Sequence, residues 1–163
     1  METCFFIIMG VSGCGKTTVG KRLASQLGWD FYDADSFHPP ASIAKMTQGF
    51  PLDDNDRAPW LESLHELISD HREEGRPGVL ACSALKESYR LTLLAGNANV
   101  QVVYLRGSFD LIQSRMMARA GHYMKASMLQ SQFDALEEPV EAITVDASLP
   151  VDSIVTIILE HSK

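Results

Sequence analysis

Short apolar runs alternate with amphipathic stretches along the chain. Phe5 to Met9 is apolar at every position, which is typical of a central parallel strand that is covered on both faces. Four further apolar runs predict four more strands, at Phe31-Tyr32, Gly78 to Cys82, Val100 to Leu105 and Ile143 to Val145. Parallel strands joined by helical crossovers predict an α/β fold.

Apolar residues recur at helical spacing between these runs. A first helix begins at Lys16, and Gly28 offers the left-handed residue at which it can stop. Further apolar stripes follow Pro59 and Ser108, and Pro150 opens a terminal helix. We therefore expect a three-layer α/β/α sandwich around a five-stranded parallel sheet.

Length and composition favour one domain over residues 1–163. The chain has 163 residues, 45 % of them hydrophobic, which is enough for one full core and little more. No apolar run approaches the roughly 20 residues that a membrane helix requires, so we expect a cytoplasmic protein. The three cysteines lack a CxxC pair and predict reduced thiols.

The charge balance limits the classes of partner. A net charge of −7 opposes broad adhesion to nucleic acid or to anionic lipid, both of which are bound by basic surfaces. An anionic small molecule would therefore need a local pocket of cations.

The sharpest motif follows the first strand directly. Gly10 to Thr17 satisfies G-x-x-x-x-G-K-S/T between a predicted strand and a predicted helix, which is where a phosphate-binding loop belongs. In such a loop main-chain N–H groups surround phosphate oxygens, Lys16 reaches the β and γ phosphates, and the Thr17 hydroxyl ligates Mg²⁺. The alternatives are a chance glycine-rich turn and, for Cys14, a redox switch instead of a small filler. The predicted ATP-binding residues are Gly10, Val11, Ser12, Gly13, Cys14, Gly15, Lys16, Thr17 and Thr18.

A pair of acids follows the second predicted strand. Asp33 and Asp35 lie at the carboxyl edge of the sheet, where open α/β proteins bind ligands. Strand alternation would place both on one side, with Asp33 orienting Mg²⁺ and Asp35 accepting the proton of a substrate hydroxyl. The alternative is an acidic loop that caps the next helix.

An absence separates enzyme classes. Neither the third run, ending at Ala81-Cys82, nor the fourth, ending at Leu105-Arg106, carries the Asp expected after the corresponding strand of a GTPase or a motor protein. The pattern favours a small-molecule kinase over a molecular switch.

Dispersed polar residues supply candidate acceptor contacts. His38, Lys45 and Arg57 follow the acidic pair, and Lys86 and Arg90 lie four positions apart. On one helix face the last two would form either an anion clamp or a solvated stripe. His38 could equally be a turn residue before Pro39, and Arg57 could simply pair with the acids beside it.

A cationic stretch predicts a lid over approximately residues 119–136. Arg115 and Arg119 are at i and i+4, with His122 and Lys125 beyond Gly121. Arginines that close over a nucleotide can neutralise charge on the transferred phosphoryl group, so both are predicted ATP contacts and Arg119 a catalytic residue. The alternative is an ordinary basic helix end.

Five segments together resemble gluconokinases of the thermoresistant type, nearly end to end. The first is shared by many nucleotide-binding proteins, whereas the later four in this order are specific. The segments are M-G-V-S-G-C-G-K-T-T-V-G from Met9, D-A-D-S-F-H-P-P from Asp33, K-M-T-Q-G-F-P-L-D-D-N-D-R-A-P-W-L from Lys45, C-S-A-L-K-E-S-Y-R from Cys82, and G-H-Y-M-K-A-S-M-L-Q-S-Q-F-D-A-L-E from Gly121.

The resemblance implies transfer of the γ-phosphate of ATP to the 6-hydroxyl of D-gluconate, with Mg²⁺, and suggests a homodimer. It implies that Lys16 and Thr17 hold phosphate and Mg²⁺ and that Asp35 holds the reacting hydroxyl. The residues implied to bind the sugar acid are His38, Arg57, Ser83, Lys86, Arg90, His122 and Gln132. Two positions depart from the family pattern: Leu91 stands where an Asp is expected, and Lys125 where a Pro is common.

Three other functions fit parts of the pattern. A shikimate kinase-like enzyme would share the paired acids and dispersed arginines. A nucleoside monophosphate kinase would need a longer lid and a base-reading insertion. A nucleotide-binding regulator would bind ATP but turn it over too slowly for metabolism.

Overall fold

The computed structural model describes residues 3–118 and 126–162. The strands are β1 Phe5–Met9, β2 Asp30–Asp33, β3 Gly78–Ala81, β4 Val100–Arg106 and β5 Ile143–Asp146. The helices are α1 Lys16–Leu27, α2 Pro40–Thr47, α3 Asp54–Glu73, α4 Glu87–Leu94, α5 Phe109–Ala118, α6 Ala126–Ala135 and α7 Val151–His161, with a short 3₁₀ helix at Ala34–Phe37. All five predicted strands are confirmed.

The strands form one parallel sheet in the order β2-β3-β1-β4-β5. β1 is the central strand and pairs in parallel with β3 on one side and β4 on the other. Asp33 of β2 aligns with Ala81 of β3, and Ala81 aligns with Ile8 of β1. This row fixes where the chain leaves three neighbouring strands.

Both faces of the sheet are covered, which confirms the three-layer architecture. Phe6 and Ile8 of β1 belong to the core shared with α1, α5 and α7. Phe5, Ile7 and Met9 belong to the opposite core, with apolar residues of α3 and α4. Successive side chains of a strand point to opposite faces, so the unbroken apolar run of β1 is explained by burial on both sides.

Helix α3 begins earlier than the sequence pattern predicts. The apolar stripe indicates a helix after Pro59, but the helix begins at Asp54 and carries Pro59 in its interior on the exposed side. A capping box stabilises this start: the Asp53 carboxylate accepts the Asp56 N–H at 2.8 Å, and the Asp56 carboxylate accepts the Asp53 N–H at 2.9 Å. The capping box therefore places residues 54–58 on a helix.

The predicted lid is described only in its second half. Residues 119–125 lie outside the described residues, and α6 covers Ala126–Ala135. None of the described helices is both long and apolar enough to cross a lipid bilayer. Cys4, Cys14 and Cys82 are free cysteines, as expected.

Asp53→Ala should lower the free energy of unfolding by about 1 kcal/mol, because the Asp56 N–H would lose its acceptor at the start of α3. Urea denaturation followed by circular dichroism measures the change. Glu62→Ala, an exposed position in the middle of the same helix, is the matched control and should stay within about 0.5 kcal/mol of the parent. Equal stability of the two variants would contradict the capping box.

Candidate active site

The loop between β1 and α1 has the backbone of an anion-binding site. Gly13 and Gly15 have left-handed backbone conformations, with φ of 83° and 101°, which residues other than glycine rarely adopt. A Cβ on Gly15 would meet no described atom within 4 Å, so the backbone there is open to a ligand. No described side chain caps the start of α1, and its first turn carries no acid. The free N–H groups at this helix end favour a bound anion.

Lys16 and Thr17 occupy the first turn of α1. The Lys16 Nζ donates to the Val11 carbonyl at 3.0 Å, so its ammonium group lies across the loop. The Thr17 Oγ1 donates to the Asp33 Oδ2 at 3.4 Å. Lys16, which is predicted to bind phosphate, therefore lies near Thr17 and Asp33, which are predicted to bind Mg²⁺.

Cys14 is a packing residue. Its side chain is buried in the core beneath the loop, and burial raises the pKa of its thiol although nearby Lys16 and Arg115 oppose the shift. A raised pKa reduces the thiolate fraction on which oxidation depends. The geometry thus favours the small filler over the redox switch.

Asp33 and Asp35 lie in a turn, and the prediction from strand alternation is wrong. β2 ends at Asp33, and the chain then enters the 3₁₀ helix Ala34–Phe37. The Asp33 Oδ1 accepts the Asp35 N–H at 3.0 Å, so Asp33 caps this turn, while its Oδ2 accepts from Thr17. Asp33 therefore performs the capping role considered as the alternative and still faces the Thr17 hydroxyl. The Asp35 side chain is exposed.

Three strand ends meet at this edge. Gly10 lies two residues beyond Ile8, Asp35 two beyond Asp33 and Ser83 two beyond Ala81, all measured from the aligned row. The Gly10 N–H donates to the Ser83 carbonyl at 3.3 Å, which ties the loop to the segment after β3. The sheet thus brings the predicted phosphate and acceptor groups to one edge.

His38 is stacked on Trp60 of α3. The ring centroids are 4.5 Å apart with 13° between the planes, and the Trp60 Nε1 donates to the Ala34 carbonyl at 2.7 Å. Burial lowers the pKa of His38, with Asp35 opposing and Arg57 reinforcing the shift, so the imidazole is neutral at pH 7. Its buried Nδ1 has no hydrogen-bond partner among the described residues. Trp60 therefore holds both His38 and the turn that carries Asp35.

Arg57 and Lys86 meet around Asp54 and Tyr89. The Arg57 Nη1 donates to the Tyr89 hydroxyl at 3.2 Å and lies 4.0 Å from the Asp54 Oδ1. The Lys86 Nζ donates to the same carboxylate oxygen at 3.3 Å. The hydrogen bond from Tyr89 and then that from Lys86 lower the pKa of Asp54, and the bond to Asp54 raises the pKa of Lys86. We name Asp54, Arg57, Lys86 and Tyr89 the cation cluster.

The cation cluster contains two residues that sequence reasoning missed. In the sequence, Asp54 is one of several acids beside Arg57, and Tyr89 is one position of the segment that begins at Cys82. The distance of 32 residues between Arg57 and Tyr89 in the chain hides their contact, and only the packing of α4 on α3 reveals it.

Lys45 is neutralised locally. Its Nζ lies 2.6 Å from the Asp56 Oδ2, and this hydrogen bond raises the pKa of Lys45. The pair joins α2 to the first turn of α3. A contact between Lys45 and an acceptor stays a prediction.

Arg90 does not share an exposed helix face with Lys86, contrary to the sequence expectation. Lys86 is the N-cap residue of α4, whereas Arg90 is 7 % exposed and points inward. Its Nη1 donates to the carbonyls of Ala84 and Leu85, at 2.8 and 3.1 Å, and its Nη2 to the carbonyl of Glu137 at 2.7 Å. Arg90 therefore braces the segment after β3, and a direct contact to the acceptor stays a prediction.

Of the two positions that depart from the family pattern, Leu91 is described by the structure and Lys125 is not. Leu91 has a 63 % exposed side chain, and Arg90 is held by carbonyl groups, so Arg90 has partners without an acid at position 91. Lys125 lies outside the described residues, as do Arg119 and His122. Their predicted roles stay predictions.

Gln132 of α6 contacts the phosphate loop. Its Oε1 accepts the Ser12 N–H at 2.7 Å, and its Nε2 donates to the Ser12 hydroxyl at 2.9 Å. Gln132 thus holds Ser12 of the phosphate loop, and the acceptor contact that the resemblance implies stays a prediction. Met116, one residue beyond Arg115 in α5, packs against Gly13: a Cβ there would lie 2.8 Å from its Cγ.

Comparisons with known proteins extend over nearly the whole chain. The shikimate kinase family model matches residues 12–161. A probable gluconokinase of Mus musculus is 46 % identical, covering 88 % of this chain and 90 % of the relative. The thermoresistant gluconokinase of Escherichia coli K12 is 41 % identical, covering 97 % and 93 %.

Solved structures separate the family from the wider fold. A gluconokinase from Sinorhizobium meliloti 1021 superposes with a TM-score of 0.86 at 40 % identity, covering 95 % of this chain and 89 % of that one. A shikimate kinase from Bacteroides thetaiotaomicron has a TM-score of 0.69 at 19 % identity, covering 96 % of each chain, which shows a common fold alone. The chain belongs to the gluconokinase family, within the larger group of proteins that the shikimate kinase family model describes.

Proposed function

We propose that this protein is a gluconokinase, which transfers the γ-phosphate of ATP to the 6-hydroxyl of D-gluconate and releases 6-phospho-D-gluconate and ADP. The observation that carries the proposal is the meeting of the phosphate loop, the Asp35 turn and the segment after β3 at one sheet edge. Relatives named gluconokinase at 41 to 46 % identity support the choice of acceptor.

ATP with Mg²⁺ fits the residues at the start of α1. The open backbone at Gly15 and the uncapped helix end suit phosphate oxygens, and Lys16 supplies the positive charge. Thr17 and Asp33 are the oxygen donors we assign to Mg²⁺, a hard cation that prefers such ligands. When bound, Mg²⁺ neutralises charge on the phosphates. The remaining assigned ATP contacts are Gly10, Val11, Ser12, Gly13, Cys14, Thr18, Arg115 and Arg119.

We assign the acceptor site to residues that follow the Asp35 turn, lie in α3 or follow β3. Arg57 and Lys86 provide charge for the carboxylate of gluconate, and neutral His38 provides a hydrogen-bonding ring held by Trp60. Ser83 lies two residues beyond the aligned row, and its carbonyl accepts the Gly10 N–H of the phosphate loop. Lys45, Arg90, His122 and Gln132 complete the proposed acceptor contacts.

Asp35 orients the attacking hydroxyl in this proposal. Its turn is fixed at two points, by the Asp33 cap and by the Trp60 bond to the Ala34 carbonyl. Phosphoryl transfer passes through a loose transition state, so orientation of the hydroxyl contributes more than early removal of its proton. Arg119 is assigned to the charge that develops on the transferred group.

Three further properties belong to the proposal. Activity in the cytoplasm suits an enzyme of ATP and a sugar acid, and the net charge of −7 argues against nucleic acid as a partner. We also propose a homodimer, which the resemblance to the family suggests.

Gluconate should stimulate ADP release by the parent protein, whereas neutral glucose should not; shikimate, which also carries a carboxylate, tests the alternative acceptor. Neutral glucose leaves Arg57 and Lys86 without a carboxylate, and discrimination of up to about 10⁴-fold is expected when polar groups of a site stay unpaired. A coupled ADP assay with each acceptor, and with none, measures the effect. Equal efficiency on glucose and gluconate would refute an acid-binding site, shikimate as the best acceptor would favour a shikimate kinase, and ATP binding without stimulated turnover would favour a regulator.

Lys16→Ala should reduce turnover at least about 10²-fold, the scale of one preorganised electrostatic contact. The reason is that Lys16 is the only cationic residue of the loop Gly10 to Thr17. Steady-state turnover at saturating ATP measures the loss. Lys21→Ala, at an exposed lysine one turn further along α1, is the matched control. A Lys16→Ala enzyme with more than half of the parent turnover would contradict the site.

Asp35→Asn should spare nucleotide affinity and reduce kcat by about 10³-fold, since asparagine keeps the size of the side chain but lacks the charge. Asp33→Asn keeps the turn's acceptor oxygen and should instead show a defect that excess Mg²⁺ relieves. Nucleotide affinity and turnover of both variants over a range of Mg²⁺ concentrations make the comparison. Near-parent kcat for Asp35→Asn, or relief of its defect by Mg²⁺ without relief of the Asp33→Asn defect, would reverse or remove these assignments.

A further inference from the structure

Tyr89 of α4 lies close to both cations of the cation cluster. Its ring centroid is 5.8 Å from the Arg57 Cζ and 5.5 Å from the Lys86 Nζ. Its hydroxyl accepts from the Arg57 Nη1 at 3.2 Å and donates to the Asp54 Oδ1 at 2.5 Å. The side chain thus contacts both cations and their common carboxylate.

The hydrogen-bonding order of the cluster is fixed by chemistry. Guanidinium groups only donate and ionised carboxylates only accept, so the phenol hydroxyl accepts a hydrogen bond from Arg57 and donates one to Asp54. Burial, followed by the bond to Asp54, raises the pKa of Tyr89, which keeps the phenol protonated. A phenylalanine ring would fill the same space without linking the two charged groups.

The cluster carries one more positive than negative charge. Arg57 and Lys86 contribute two cations, and Asp54 contributes one carboxylate to both. Outside the cluster, the hydrogen bond from Lys45 to Asp56 and the charge of Asp53 both raise the pKa of Lys45, so these two carboxylates act on that cation. An incoming carboxylate would therefore complete the charge balance of this group.

Positioning is the difficulty for such a site. Arginine and lysine have long, mobile side chains, and ordering them on binding costs entropy. A contact that holds these side chains in place before the ligand binds therefore reduces the entropic cost of binding. Tyr89 is only 8 % exposed and belongs to the core between the sheet and α3, so its hydroxyl is held by a well-packed ring. It is the rigid element among three charged side chains.

We propose that Tyr89 is a specificity-determining positioning residue, which sets Arg57 and Lys86 to receive the carboxylate of an acidic acceptor. The hydroxyl orients the guanidinium group, the ring faces both cations, and Asp54 anchors the hydroxyl. The inference rests on the proposed function for the identity of the acceptor, gluconate.

The test compares Tyr89→Phe with the parent and with Tyr32→Phe. The control also loses a tyrosine hydroxyl that makes a hydrogen bond, because the Tyr32 oxygen lies 2.8 Å from the His71 Nε2. That bond is not part of the cation cluster. Tyr89→Phe should raise KM for gluconate about 10-fold, the value of one hydrogen bond to a charged group, with kcat and KM for ATP within about twofold of the parent. Discrimination between gluconate and glucose should narrow by the same factor, and calorimetry should show a matching loss of gluconate affinity.

The outcomes separate three failures. An unchanged KM for gluconate in Tyr89→Phe overturns the inference even if the parent phosphorylates gluconate. Equal losses of kcat in Tyr89→Phe and Tyr32→Phe, in step with their thermal stability, show a role in folding alone and also overturn it. A parent without gluconate-dependent ADP release refutes the proposed function, and calorimetry then decides separately: equal gluconate affinity in parent and Tyr89→Phe, or none in either, overturns the inference.

Discussion

The pairing of β1 between β3 and β4 is the constraint on which the site depends. Because the strands are parallel and in register, Ile8, Ala81 and Asp33 form one row, and the chain leaves each strand at the same edge. The register of the three strands therefore places the phosphate loop, the segment of Ser83 and the Asp35 turn next to one another. Apolar burial of β1 on both faces stabilises its place at the centre of the sheet.

Arg90 extends that constraint from the sheet to the helices. Ala84 has a left-handed φ of 43°, a conformation that costs a non-glycine residue about 1 to 3 kcal/mol and persists only where the surrounding structure imposes it. Arg90 binds the carbonyls of Ala84 and Leu85 and, through Glu137, the chain after α6. A buried cation surrounded by carbonyl dipoles thus holds the segment from which Lys86 and Tyr89 follow.

The sequence predicts the structure well where the hydrophobic periodicity and a motif fall in the same segment. The unbroken run of β1, followed by glycines and a helical stripe, predicted strand, loop and helix because one covalent segment contains all the evidence. It failed where a side chain replaces the expected backbone pattern: the Asp53 capping box starts α3 ahead of Pro59, and the Asp33 cap turns the chain after β2. The cation cluster cannot be assembled from the sequence, because Tyr89 contacts Arg57 only through the packing of α4 on α3.

The charge distribution explains how an acidic protein can select an acid. The net charge of −7 would repel gluconate at long range, but surface charges are screened over about 10 Å at ordinary ionic strength. What decides binding is the local balance, and there Lys45 is already matched by Asp56 whereas Arg57 and Lys86 share one carboxylate. Since Asp54 can neutralise one cation of the two, a neutral acceptor leaves the imbalance and an acidic acceptor removes it. In the proposed acceptor site, selectivity for a carboxylate would therefore follow from the number of acids around two cations, independently of the overall charge.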